Sequence, residues 1–348
     1  MKTKFETMGG KYVIPSGTTR IGDYEFLGCE DLREVVIPDT VTRIGRSAFD
    51  GCRNLIEINI PEGVRTIEDH AFFGCWSLTE IKLPASVQNI GYGAFSGCIE
   101  VETVKVENNN PVYKSVSNCC LTKDGKTLVF GCKTSVIPRS VVTIGEAAFL
   151  WCEGLAGITI PDSVREIESR AFYGCLSLRK IAFPENGRLE RIGADSFSNC
   201  TALRVVTIPI TVKEIGVRAF AECHRLWAVS LPDTITRIEE GLFFKCRTLG
   251  KFTIPGSVTE IRRFAFCGCH GLDGLVIPPS VTTVYSRAFH ECGRFEEVRI
   301  PDTVSYLGQD VSCLYMPKEI KGDDSLTYVG GKASSCCKGE DAQDELPF

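Results

Sequence analysis

Histidine, methionine and tryptophan are scarce in this chain of 348 residues, which holds four, three and three of them. The histidines His70, His224, His270 and His290 form no H-E-x-x-H pair that would grip zinc from one helix face. Cys267-x-Cys269-His270 and Cys336-Cys337 lack the second ligand pair that a structural zinc site needs. No G-x-S-x-G nucleophile elbow and no phosphate-cradling P-loop occurs. The chain is therefore read as non-enzymatic, with no catalytic, cofactor-binding or metal-binding residue assigned. No run of 18 apolar residues is present, which excludes a transmembrane helix and membrane insertion by that route. The basic residues form no stripe, which argues against nucleic acid, and no polybasic cluster, which argues against an anionic membrane surface. Met1-Lys2-Thr3-Lys4-Phe5-Glu6 is not followed by an apolar h-region, so no signal peptide is read.

What the chain does hold is a repeat, and a period of this size overrides ordinary secondary-structure reading. Pro38, Pro61 and Pro84 lie 23 residues apart, as do Phe49, Phe72 and Phe95, and Cys52, Cys75 and Cys98. Twelve of 16 prolines, 11 of 20 phenylalanines and 11 of 18 cysteines fall in register, and chance does not phase three residue types together. Such a unit cannot bury its apolar face alone, so the coils stack and each touches only its neighbours. The hydrophobic content of 43% is ample for a continuous core.

Within one unit, Leu55-x-x-Ile58-x-Ile60 ends in a period of two and predicts a short strand. Pro61 lacks a backbone donor and ends the ladder. Val64 and Ile67 predict a second extended segment, and Ala48-Phe49 begin a tight turn, read as a helical turn, closed near Gly51-Cys52. A small residue follows each main strand: Thr40, Ser86, Ser163, Thr211, Thr234, Ser257, Ser280 and Thr303 among others. Hydroxyls there are expected to form a ladder that satisfies buried amides.

Residues 1–12 read as a lead-in, 13–318 as a solenoid of about twelve repeats, and 319–348 as an acidic, disordered tail. Seven acids and three lysines place a charge of −4 in that tail, leaving −1 on the rest of a chain whose formal total is −5. The block 105–135 is 31 residues long, eight more than a repeat. Lys123-Asp124-Gly125-Lys126 between two apolar runs predicts a β-hairpin inside it.

The motif Ile37-Pro-x-x-Val41-x-x-Ile44-x-x-x-Ala48-Phe49-x-x-Cys52-x-x-Leu55-x-x-Ile58 resembles the BspA-like leucine-rich repeat. Asn110-Pro111-x-Tyr113 followed by a Lys-Asp-Gly hairpin resembles an insertion met in that family. The resemblance covers about residues 13–307. It implies a right-handed β-α superhelix, with a parallel concave sheet on one face and short turns or helical turns on the convex side. It also implies a secreted or cell-surface location and a role in adhesion through a protein partner, such as a host or matrix protein.

Everything that repeats makes the solenoid, so recognition must lie in what varies. The outward strand positions are the candidates for partner binding: Glu57, Asn59, Glu80, Lys82, Thr159, Lys180, Val205, Thr207, Ser230, Lys251 and Thr253. This face reads as charged early and as small and mildly apolar from about 157 to 276. Register cysteines are expected to stack as a buried thiol column filling a core slot, and a Cys119–Cys132 or Cys120–Cys132 bridge across the hairpin is a possible addition. So many thiols suit a reducing setting, which keeps open a second role as an intracellular scaffold or regulator.

Overall fold

The computed structural model describes residues 9–272, 275–292, 300–308, 311, 320–321 and 327–328. Each coil has three sides. The first carries the longer strand. Lys11–Val13, Glu34–Val36 and Glu57–Asn59 pair in parallel, as do Glu80–Leu83 and Thr103–Val106. Gly157–Thr159, Lys180–Ala182, Val205–Thr207, Ala228–Ser230 and Lys251–Phe252 form a second run of five. Ile58, Ile81, Ile158 and Ile181 point inward and are buried, while their neighbours point out, as the period of two requires.

The second side is a ladder of two-residue strands, from Arg20–Ile21 and Arg43–Ile44 to Thr283–Val284 and Tyr306–Leu307. Its inner column is isoleucine in most coils, replaced by Val284 and Leu307 near the end. Its outer column alternates in sign over part of its length. Glu166 stands opposite Arg191, Arg191 opposite Glu214, and Arg237 opposite Glu260.

The third side corrects the helical turn implied by the leucine-rich-repeat resemblance: no helix occurs among the described residues. Here the backbone turns repeatedly, and its N–H groups donate to the next coil. Phe49 N–H reaches Ala71 O at 2.8 Å and Gly51 N–H reaches Phe73 O at 2.8 Å. Ser47 (φ 49°) and Gly51 (φ 71°) are left-handed, four residues apart, and the same two places recur as Arg218 (φ 56°) and Glu222 (φ 58°). A left-handed residue every fourth position breaks right-handed helical continuity, and N–H groups that bond the next coil are not free for the i−4 carbonyl. The superhelix is thus β and turn throughout its described part.

The phenylalanines fill the core beside these turns. Phe26, Phe49 and Phe72 stack nearly parallel with ring centroids 5.0 and 5.2 Å apart, and Phe149, Phe172 and Phe197 repeat this at 5.0 and 5.1 Å. Each such ring is essentially unexposed and contributes about 1.5–3 kcal/mol by burial. The register cysteines occupy the slot alongside, and their thiols have partners. Cys52, Cys75, Cys175, Cys223 and Cys269 donate to the carbonyls of Phe26, Phe49, Phe149, Phe197 and Phe243 one coil back, at 3.0 to 3.3 Å. The thiol is therefore a donor that ties coil to coil as well as a filler.

The hydroxyl ladder also differs from expectation. Thr40, Ser163, Thr211, Ser257 and Thr303 donate to backbone carbonyls 22 residues back, at 2.6 to 3.0 Å. They satisfy acceptors rather than amides, because the turn's N–H groups already bond within the turn, as Val164 N–H does to Pro161 O.

Residues 105–135 interrupt the stack. Tyr113–Val116, Cys119–Thr122 and Thr127–Gly131 pair antiparallel, and the last strand then joins the second ladder through Thr143–Ile144. Side chains leave this small sheet on both faces. Cys120, Phe130 and Cys132 belong to the core of the N-terminal coils, whereas Cys119, Leu121 and Leu128 belong to that of the C-terminal coils. The hairpin is thus a wall between two cores. Asn110, fully buried, fastens it to the coil before. Its amide donates to Pro84 O and Val87 O at 3.0 and 2.9 Å, and its oxygen accepts from the N–H groups of Val112 and Tyr113 at 2.9 and 2.7 Å.

Of the acidic tail, only Ile320–Lys321 and Thr327–Tyr328 are described, as an antiparallel pair. The disorder expected for the rest lies outside the described residues.

Candidate functional site

The outward sheet face splits where the hairpin wall splits the core. On the N-terminal side Glu57, Asn59, Glu80 and Lys82 all sit on outward strand positions. Charges here are largely satisfied within the face. Lys11 pairs with Glu34 at 2.5 Å, and Glu80 lies 2.6 Å from Lys82 and 2.8 Å from Lys105. Hydrogen bonds from Lys105 and then Lys82 hold the Glu80 carboxyl below its ordinary range. These pairs are exposed and add little stability, but they leave little free charge for a partner.

On the C-terminal side the register brings the remaining candidates together. Lys180, Val205, Ala228 and Lys251 follow one another across the strands, and Thr207 lies opposite Ser230. Thr159, Lys180, Val205, Thr207, Ser230, Lys251 and Thr253 are all exposed. A mildly apolar reading of this stretch needs revision, because the strand-preceding column adds charge. Arg179 and Arg204 stand one residue before their strands, at the place Trp227 holds in the next coil. That place borders the outward face: Lys251 Nζ lies 5.3 Å from the Trp227 ring centre. These residues were legible from the 23-residue period as a column of their own, but not from strand alternation, which assigns them no outward direction.

Chemistry of other kinds finds no support among the described residues. No group of three or more His, Cys, Asp or Glu there is arranged to hold a metal ion. Cys119, Cys120 and Cys132 are free thiols rather than a bridge. A cavity of about 210 Å³ lies where the two cores meet, with Phe95, Phe130, Phe149, Cys98, Cys132 and Cys152 in its lining. Burial first, then the neighbouring Cys132 and Cys98, pushes the Cys152 thiol up to about 12, so it offers no thiolate near neutral pH.

A stack of coils with two parallel ladders and a varied outer face defines a repeat solenoid of the leucine-rich-repeat class. The chain belongs to the family described as the BspA type leucine rich repeat region, whose model, in six copies, matches residues 9–122, 130–250 and 241–342. Among solved structures it is similar to a leucine-rich repeat protein from Eubacterium ventriosum, at 21% identity and a TM-score of 0.57, covering 81% of this chain and 82% of that one. It is likewise similar to the pneumococcal vaccine antigen PcpA, at 19% identity and a TM-score of 0.57, covering 80% and 75%. At these identities the likeness concerns the fold. Among curated proteins nothing matches the chain.

Proposed function

We propose that the chain is a non-enzymatic module that binds a protein partner on the outward face of its sheet, with adhesion as the class of role. The observation that carries this reading is the run from Gly157 to Thr253. Its backbone repeats coil by coil, while its outward residues change from coil to coil and include an exposed Val205 and Trp227, each a little over 40% accessible. Exposed apolar side chains among polar ones on a rigid sheet suit protein recognition. Photo-crosslinking amino acids placed at Val205 and Thr253, and as a control at Arg263 on the turn side, test it in extracts of cells the protein meets. Protein adducts from the sheet positions and few from Arg263 are expected. Adducts from Arg263 alone would place recognition elsewhere and overturn the reading.

A second reading, an intracellular scaffold or regulator, is favoured by the number of cysteines held as buried thiols, Cys52, Cys75, Cys175 and Cys223 among them, which suits a reducing compartment. Thiol labelling after cell fractionation separates the two. A cytosolic pool with fully alkylatable cysteines after denaturation favours the scaffold, and a surface pool favours adhesion.

A further inference from the structure

We infer that the partner of the C-terminal sheet face is an acidic polypeptide segment; this rests on the protein-binding reading of that face. The outward positions and the strand-preceding column of the five strands from Gly157 to Lys251 contain no Asp or Glu. They do contain Arg179, Lys180, Arg204 and Lys251, all exposed. Unlike Lys11, Lys82 and Lys105 on the N-terminal side, none of these four has a carboxylate within ion-pair distance among the described residues. The contrast is internal to one molecule: before the wall the same columns mix Glu34, Glu57, Glu80 and Glu102 with Lys11, Arg33, Lys82 and Lys105, whereas from Ala156 to Thr253 their only charged residues are basic.

Cations without a carboxylate partner on one sheet face attract an anion extended across the strands. Arg179 and Lys180 lie one coil, about 4.8 Å, from Arg204, inside one Debye length at physiological salt, and Lys251 follows two coils further on, beyond the uncharged coil of Trp227 and Ala228. Trp227 and Val205 lie among them and offer apolar contact that a bare polyanion does not use, which favours a polypeptide carrying carboxylates and apolar side chains over a sulfated polysaccharide. Arginine adds a planar donor fork matched to carboxylate.

The test measures binding of poly-L-glutamate, of a peptide alternating Glu with Leu, and of heparin to the full chain. Variants are the double charge reversal Arg204→Glu with Lys251→Glu, and Arg247→Glu with Arg263→Glu, which changes net charge equally away from this face. The alternating peptide is expected to bind more tightly than poly-L-glutamate. The face reversal should weaken it by about tenfold or more, since two exposed pairs are each turned from attraction to repulsion. The control reversal should leave it within about twofold. Equal loss in both variants would show a non-specific charge effect and overturn the inference, as would heparin binding better than the alternating peptide. Trp227→Ala should remove the preference for the peptide with leucines, and an unchanged preference would also count against it. If the crosslinks at Val205 and Thr253 form while no acidic peptide binds, the acidic partner falls and the binding face stands.

Discussion

Raising the pH should unfold this protein abruptly, well before its arginines lose charge. Burial pushes the thiols of Cys52, Cys119 and Cys152 up to about 12, from an ordinary value of 9.0. Burial also raises Cys75, Cys120, Cys175, Cys200, Cys223, Cys246 and Cys269. The native pKa lies above the unfolded one, so the unfolded chain loses protons first. Stability is then complete below about pH 9 and declines as pH rises towards 12. One unit above the unfolded pKa, each such thiol costs about 1.4 kcal/mol. At pH 10 the three thiols with values near 12 together remove about 4 kcal/mol, and the other seven act in the same direction. A folded domain has only about 5–15 kcal/mol to lose. The assay is a reversible titration in reductant, followed by circular dichroism and by alkylation of cysteines, between pH 7 and 11. Cooperative loss of structure between about pH 9.5 and 10.5 is expected, with thiols becoming reactive over the same interval. A chain still folded at pH 11, or thiols that react at pH 8 while the fold persists, would refute the reasoning.

Three further outcomes are expected. Asn110→Ala leaves two carbonyls and two N–H groups without their partner, at about 1 kcal/mol each, so urea unfolding should show a loss of about 4 kcal/mol. Phe197→Ala empties a space between Phe172 and Phe220, whose rings lie 5.1 and 5.3 Å away. It should cost about 3–5 kcal/mol in the same assay, and a loss below about 1 kcal/mol would mean the coils close over the gap. At Glu222, held at φ 58°, Glu222→Gly should stabilise by up to about 1 kcal/mol and Glu222→Val should destabilise by about 1–2 kcal/mol, read as opposite shifts of the melting temperature.

Much of this fold was legible because each coil repeats its apolar residues. Ile58 and Ile60 marked a strand, Pro61 its end, and the Phe49 column the core, since period and burial are the same fact in a solenoid. The turn side was legible as a turn closing near Gly51, but not in its non-helical conformation. Ser47, Arg218 and Phe264 are left-handed, yet nothing about these residue types signals it; the conformation is imposed by hydrogen bonds to the next coil. The direction of the hydroxyl bonds was hidden for a similar reason, since a serine can donate to a carbonyl or accept from an amide. The candidate face was half legible. Lys180 and Val205 followed from strand alternation, whereas Arg204 and Trp227 sit at a corner where alternation no longer holds.

The alternating outer column of the second ladder has a consequence for how the chain finds its own order. Coils this alike are nearly interchangeable, and the hydrophobic core would accept a coil stacked on its next-but-one neighbour almost as readily as on its nearest. Glu166, Arg191 and Glu214 remove that ambiguity. Skipping one coil sets Glu166 against Glu214, and like charges directly opposite are destabilising where unlike ones help, by roughly 0.2–1 kcal/mol. Over these coils the column works as a parity check, passing nearest neighbours and rejecting next-but-one ones. The same check acts between molecules, where a coil exchanged out of step would meet its own sign.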